Sequence, residues 1–247
     1  MFNFSNISDK SFPGKSLRLI LKILPGEVIL PILQGKAKGN KWIKGSGVNG
    51  YWLGSYESEQ QSIMEKNLGP GDVFLDVGSH VGFFTLLGSN LVGKKGRVFS
   101  FEPLPRNLDF LRKHVKLNKL DNVNVIPVAV SDEIGLSGFN EGASSETGSI
   151  KPDGKLKVRV TTLDALLEDK TIQAPDFIKV DVEGAQKKVL DGAINLLKNF
   201  HPSLLIEAKF EDRKDNFYSL LSELGYIVKP LGGKSLEDAD NFFAYVL

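Results

Sequence analysis

The stretch Val73-Phe74-Leu75-Asp76-Val77-Gly78-Ser79-His80-Val81-Gly82 decides how this chain folds. An apolar run of strand type ends in an acid. It passes two glycines four residues apart and runs into Phe83, Phe84, Leu86 and Leu87. That is a strand, a tight turn and the opening of a helix. Glycines let the backbone come close to a ligand, and a helix N-terminus leaves N–H groups unpaired. Nucleotide sites of α/β proteins are built this way. A Gly-rich turn alone is a weak signal, because many strand–helix turns need glycine for sterics. Here Gly96-Arg97-Val98-Phe99-Ser100-Phe101 follows as a second strand and ends at Glu102, where a ribose-binding acid falls.

Asp76 narrows the ligand. A dinucleotide fold presents this turn to an anionic pyrophosphate, which an acid at the mouth would repel. Asp76 suits a cofactor with a positive group, such as the amino group of S-adenosylmethionine. Position 80, where the dinucleotide pattern has its third glycine, holds His80. Histidine tolerates positive φ better than most side chains, so His80 reads as a turn residue rather than a catalytic one.

Working outward, 247 residues fit one α/β domain with an added N-terminal segment. Residues 1–70 read as a helix and β-rich extension, a cap or an interface, and 71–247 as the cofactor-binding domain. Hydrophobic content of 41% and charged content of 25% are ordinary for a globular chain. The net charge of +1 gives no reason to expect a nucleic-acid partner. Without cysteine there is no disulfide, thiol chemistry or Cys-based zinc site, and His80, His114 and His201 are scattered. No stretch is long enough for a transmembrane helix, and the first residues lack a signal peptide's pattern, so the expected location is cytoplasmic. The basic, apolar segment at residues 15–24 suits a peripheral membrane contact, but more often packs on its own domain or a partner subunit. Oligomeric state is not readable.

Val28 to Leu33 and the glycines at 35, 39, 45, 47 and 50 read as short antiparallel strands with glycine turns. Trp42, Tyr51, Trp52 and Tyr56 concentrate here, as a border to the acceptor site or as the hairpins' own core. Ser58 to Leu68 reads as a helix. From Val73 strands and helices alternate: strand 73–77, helix 82–92, strand 97–101, helix 105–118, strand 123–130. A hairpin is expected from 137–140 and 157–160 around the loop 141–154, then a short helix capped at Thr161-Thr162. Strand 177–182 leads into one helix carrying Ala185, Val189, Ala193 and Leu196. Strand 203–207, a helix ended by Gly225, and closing strands 226–231 and 242–246 complete the chain. The fold class is α/β, a mostly parallel seven-stranded sheet with helices on both faces and an antiparallel C-terminal hairpin.

In such a sheet, ligands bind outside the carboxyl ends of the strands. Acids recur there: Asp76, Glu102, Asp132, Asp181, Glu183 and Glu207. Any one can be a helix cap or a solvated loop acid, Asp132 above all, but the set repeats on successive strands. In Asp181-Val182-Glu183-Gly184, strand periodicity would put both carboxylates on one side, where each raises the other's pKa. That favours a general base or a metal ligand.

Tyr56-Glu57, Asp76-Val77-Gly78-Ser79-His80-Val81-Gly82, Phe101-Glu102-Pro103, Ala129-Val130-Ser131-Asp132 and Ile178-Lys179-Val180-Asp181-Val182-Glu183-Gly184-Ala185 follow in an order that resembles the FkbM family. These are class I methyltransferases of Rossmann-like fold that use S-adenosylmethionine, mostly for O-methylation. The resemblance covers roughly Leu53 to Glu207. It implies Asp76 and Gly78 at the methionine part, Glu102 at the ribose, Asp132 near adenine, and Asp181 and Glu183 at the methyl-transfer face. It sets Glu57, Ser79, His80, Gly82, Pro103, Ala129, Ser131 and Asp181 on the cofactor side with them. The family commonly has Asn at His80, often Glu at Gln186, and an acid–x–His pattern where Glu207-Ala208-Lys209 stands here.

Methyl transfer from a sulfonium needs alignment above all, and a hydroxyl acceptor must lose its proton or bind a metal. Asp181 is the first choice for that contact, with Glu183 and Glu207 as further catalytic candidates. An all-oxygen set would suit magnesium, but no metal is expected. The expected function is O-methylation of a small molecule, sugar or glycan. The alternatives are an NAD-type oxidoreductase, disfavoured by Asp76 and the absent third glycine, and a non-catalytic domain keeping the cofactor fold.

Overall fold

The computed structural model describes residues 27–140, 148–150, 153–209 and 217–247. The segment at 15–24 and most of the loop 141–154 lie outside them. The first described elements are two short antiparallel strands, β1 (Ile29–Pro31) and β2 (Lys41–Ile43). The helices α1 (Gly50–Leu53) and α2 (Ser58–Asn67) follow.

The alternating core begins with β3 (Val73–Val77), α3 (Phe83–Val92), β4 (Arg97–Phe101), α4 (Pro105–Asn118) and β5 (Val123–Ile126). Pro105 starts α4, where its missing N–H costs nothing. The expected strand 123–130 is broken at Pro127, which cannot donate to a ladder. Its second half, β6 (Ala129–Val130), leaves the main sheet and pairs parallel with β9 (Leu156–Thr161). With β7 (Gly135–Asn140) and β8 (Ser149–Ile150) they form a four-stranded sheet, in which Ser137 stands opposite Val158. Thr162 caps α5 (Leu163–Glu168), its Oγ1 accepting from the Ala165 N–H at 3.1 Å.

After β10 (Phe177–Val180) the expected single helix is two, α6 (Gln186–Asp191) and α7 (Ile194–Phe200). Between them a Cβ on Gly192 would collide with the Ser131 carbonyl. The Asp164 carboxylate restarts the helix by accepting from the Asn195 and Leu196 N–H groups at 3.0 and 2.8 Å. β11 (Ser203–Glu207), α8 (Phe217–Glu223), β12 (Ile227–Pro230) and β13 (Asn241–Tyr245) complete the fold.

The main sheet runs β12-β13-β11-β10-β3-β4-β5. β10, β11, β3, β4 and β5 are mutually parallel, and β13 inserts antiparallel between β11 and the edge strand β12. Strand order reverses between β3 and β10, so their carboxyl ends form the switch-point crevice. The pleat divides the core. Leu75, Val77, Ile178, Val180, Leu204 and Ile206 face one apolar cluster with α6, α7 and α8. Phe74, Phe177, Leu205 and Phe243 face a second with α3 and the N-terminal elements, where Trp42, Trp52, Met64 and Leu68 are buried. Residues 30–68 therefore belong to the core of the sheet and are no loose appendage. No helix among the described residues is long and apolar enough to cross a membrane.

Candidate active site

Across the carboxyl ends of β3, β4 and β10 runs a buried polar row. Ser100, Asp76 and Lys179 are register partners on adjacent strands, and all three face α3. Thr85 on α3 closes the row, donating to Asp76 Oδ2 at 2.6 Å and lying 2.9 Å from Ser100 Oγ. Lys179 is only 2% exposed. Its Nζ donates to Asp181 Oδ2 at 2.7 Å and sits 4.6 Å above the Phe84 ring. Burial alone would lower the Lys179 pKa, but the carboxylates of Asp181, Glu57, Asp76 and Glu207 outweigh it and keep the ammonium charged. Burial lifts Asp76 to about 6, against the pull of Lys179 and Thr85, and its Oδ1 has no partner.

The glycine turn lies above this row. Gly78 has φ +85° and Gly82 φ +95°, and a Cβ on Gly78 would collide with the Asp181 carbonyl oxygen. Gly78 is thus demanded by the approach of β10's end, and Gly82 by its own positive φ. His80 sits at φ +50°, its Nδ1 3.3 Å from the Tyr51 hydroxyl. Burial holds it down at about 4, so it is neutral at pH 7, and Nε2 has no partner.

A cleft with about 780 Å³ of empty volume, its open mouth included, opens at the switch point. At one end Leu104, Val128, Ala129, Val130 and Phe139 make an apolar slot, and Leu104, Ala129 and Phe139 belong to a separate small cluster under the second sheet. Glu102 stands beside it. Its Oε1 accepts from the Leu104 N–H at 2.8 Å, and the Asn107 side chain and His80 backbone also donate to it. Burial outweighs these donors and lifts Glu102 to about 7. At the other end Asp181, Glu183 and Glu207 meet Tyr51, Tyr56 and His80.

Of the residues expected from sequence, Gly78, His80, Glu102, Pro103, Ala129, Asp181, Glu183 and Glu207 line this cleft. Glu57, Asp76, Ser79, Gly82, Ser131 and Asp132 do not. Asp76 is buried beneath the turn, while Glu57 starts α2 in a left-handed conformation, φ +44°, and acts electrostatically on Lys179 and Glu207. Ser79 donates to the Phe101 carbonyl at 3.2 Å. Asp132 accepts from Ser131 Oγ at 3.0 Å and lies 3.6 Å from Lys188 Nζ, so Ala129 rather than Asp132 stands at the apolar slot.

Asp181 and Glu183 share the cleft, though not through the pleat of a strand. β10 ends at Val180, and Glu183 occupies a turn at φ +46°. Glu183 Oε2 accepts from Lys209 Nζ at 2.6 Å, so the lysine that departs from the acid–x–His pattern acts as its counter-ion. Gln186 donates to the Glu207 carbonyl at 2.7 Å, a bond that an ionised Glu could not make. Burial, with the nearby Asp181 and Glu57 carboxylates, lifts Glu207 to about 8 against Lys179 and Gln60. Of the aromatic residues before residue 70, Tyr51 and Tyr56 border the cleft, while Trp42 and Trp52 are buried below.

Sequence reasoning passed over Lys179, Asn107 and Phe139. Lys179 had a signal: a lysine inside an apolar central strand requires a buried partner. Phe139 had none, because it arrives from a separate sheet. Among the described residues no group of three or more His, Cys, Asp or Glu is arranged to hold a metal ion.

These residues fit S-adenosylmethionine. The apolar slot suits a purine, and Glu102 beside it offers a carboxylate of the kind that suits ribose hydroxyls. The far end is acidic and carries no lysine or arginine among its described lining residues, as a sulfonium requires.

The hexuronic acid methyltransferase AglP of Haloferax volcanii is 31% identical over 132 residues, 52% of each chain. The 2-O-methyltransferase NoeI of Sinorhizobium fredii is 29% identical over 151 residues, 53% of this chain and 60% of that protein. The chain spans between 52% and 60% of the length of the curated relatives it matches. The crystal structure of a methyltransferase FkbM from Methylobacillus flagellatus superposes with a TM-score of 0.50 at 17% identity, covering 79% of this chain and 52% of that one, which shows the fold. The model of the methyltransferase FkbM domain matches residues 76–228. The chain belongs to the FkbM methyltransferase domain family.

Proposed function

We propose that the protein is an S-adenosylmethionine-dependent O-methyltransferase acting on a hydroxyl of a sugar, glycan or small molecule. One observation carries this reading. A single cleft joins an apolar slot and the oriented Glu102 carboxylate to the Asp181 and Glu207 carboxylates at its other end. The relatives named for a hexuronic acid and for 2-O transfer support a hydroxyl acceptor.

Glu102 would hold the ribose, Gly78 and the turn the methionine part, and Leu104, Ala129 and Phe139 the purine. When bound, the cofactor supplies an electrophilic methyl group on a positively charged sulfur. Asp181, at the cleft end of β10, orients the acceptor hydroxyl. Its carboxylate is held in place by the ion pair with Lys179 at 2.7 Å. Glu207, whose carboxyl is raised toward neutrality, is the better proton acceptor. That carboxylate would take the hydroxyl proton while the bound cofactor supplied its methyl group to the oxygen.

Ligand-dependent melting tests the cofactor. S-adenosylhomocysteine at about 100 times its Kd should stabilise the protein by about 2.7 kcal/mol, and NAD should do nothing. Stabilisation by NAD alone would sink the proposal. Turnover tests the chemistry: Glu207→Gln and Asp181→Asn should each lower it by ~10²-fold or more. Cofactor binding without any turnover would favour the non-catalytic alternative.

A further inference from the structure

We infer that Gln60 is a positioning residue for Glu207: its side-chain amide, braced by Asn241, donates to the carboxylate and holds it at the acceptor end of the cleft. This rests on the function proposed above, in which Glu207 takes the acceptor's proton, and names a residue that acts through it.

Gln60 lies on α2 and is 3% exposed. Burying an amide is costly unless its polar atoms are answered. Its Nε2 donates to Asn241 Oδ1 at 2.7 Å and to Glu207 Oε2 at 3.5 Å. An amide NH2 has two hydrogens, one for each oxygen. The ladder explains why one amide reaches both, since Glu207 on β11 and Asn241 on β13 are register partners. The reversed amide would set oxygen against oxygen at the ionised carboxylate, so the network fixes its orientation. α2 is itself pinned there, because the neighbouring Glu59 accepts from the Gly232 N–H at 2.7 Å. From the other side Gln186 donates to the Glu207 carbonyl at 2.7 Å. The main chain and the carboxylate of one residue are thus each held by a glutamine. Gln60 and Asn241 both lie outside residues 76–228, the family domain.

The direction of the effect follows from which form the amide favours. A donor stabilises the charged form of a carboxyl. Burial, Asp181 and Glu57 oppose that form at Glu207, while Lys179 and Gln60 support it. Lys209, bonded to Glu183, also interacts with Glu207. A carboxyl raised to about 8 has little ionised form near neutrality, so a donor that enlarges it enlarges the fraction able to take a proton. A tie between α2 and β13 alone would leave that fraction unchanged.

The test titrates Glu207 itself by NMR, in the full chain without cofactor or acceptor. Glutamate carboxyl carbons are isotopically labelled, and Glu207 is assigned by the signal missing in Glu207→Gln. Gln60→Met keeps most of the side-chain volume and loses the donor. Its Glu207 midpoint should rise by about 0.5 pH unit or more, about threefold in the ionisation constant. Asn241→Ala keeps the amide but removes its brace, and should move the midpoint the same way by less. Charges common to wild type and variant cancel in the comparison. A midpoint unchanged or lowered in Gln60→Met overturns the inference, and if that variant does not fold, the Asn241→Ala midpoint decides by the same criterion. Normal turnover in Glu207→Gln would overturn the base assigned above and leave the titration to decide the positioning, so the two fail separately.

Discussion

Replacing Lys179 with methionine keeps an unbranched apolar stem in β10 and removes the ammonium together with its bond to Asp181. The ammonium is 2% exposed and bonds Asp181 Oδ2 at 2.7 Å. Taking one partner from a buried ion pair costs about 3–5 kcal/mol. The Asp181 side chain is 23% exposed, so water recovers part of that, and a loss of about 2–4 kcal/mol is expected near neutral pH. The loss should depend on pH. Lys179 lowers the pKa of Asp76, about 6, and of Glu207, about 8, so its removal raises both further. An acid whose folded pKa is raised keeps its full contribution below the unfolded pKa and loses it as pH rises through the folded one. At pH 5 both groups are protonated in the variant and barely miss the ammonium. At pH 8 they do miss it, at about 1.4 kcal/mol per pKa unit of extra shift. Urea unfolding of Lys179→Met should show a deficit larger at pH 8 than at pH 5 by about 1–2 kcal/mol. Adding Asp181→Asn should recover part of it, because a pair removed together leaves no stranded charge. A deficit equal at both pH values, or a double variant weaker than the single losses combined, would refute the electrostatic account of the row.

Glu102→Ala should weaken S-adenosylhomocysteine binding by about 1–3 kcal/mol in a folded protein, measured calorimetrically; unchanged affinity removes Glu102 from the ribose site. Gly78→Ala should destabilise the fold by about 3 kcal/mol or more, since it combines φ +85° with a collision against the Asp181 carbonyl, and a normal melting temperature would contradict that. Unliganded wild-type protein should lose stability from about pH 6.5 to 8 as Glu102, near 7, and Glu207, near 8, give up protons that the unfolded chain no longer holds. The buried His80 and His114, both near 4, work the other way only below about 6.5, so a melting temperature that climbs from pH 6.5 to 8 would defeat the prediction.

The fold was legible where local chemistry and tertiary packing agree. β3, β4 and β11 and helix α4 fall on the residues that their apolar periodicity and start signals mark. The departures come from contacts that no local pattern announces. Gly192 breaks a helix because the Ser131 carbonyl arrives from another segment, and Pro127 hands half a strand to a second sheet. In the site, the strand-end acids were visible in kind but not in allegiance. Glu183 and Asp132 each turn to a lysine, and Asp76 goes under the floor. Those partners lie far away in sequence, as Lys188 does from Asp132 and Lys179 from Asp76.

His114 has a consequence for engineering. Its imidazole stacks on Trp42 at 3.9 Å between centroids, accepts from the Ile43 N–H at 3.0 Å, and lies 2.8 Å from the Val81 carbonyl. With Nε2 accepting, the proton must sit on Nδ1 and point at Val81. One neutral ring on α4 thus rivets the N-terminal hairpin to the turn that opens α3. The elements carrying Tyr51 and Tyr56 are therefore no interchangeable cassette. A chimera that imports residues 27–70 from a relative, to borrow its acceptor preference, must import a matching residue at 114 as well. Without it the graft leaves two backbone groups unanswered directly behind the glycine turn.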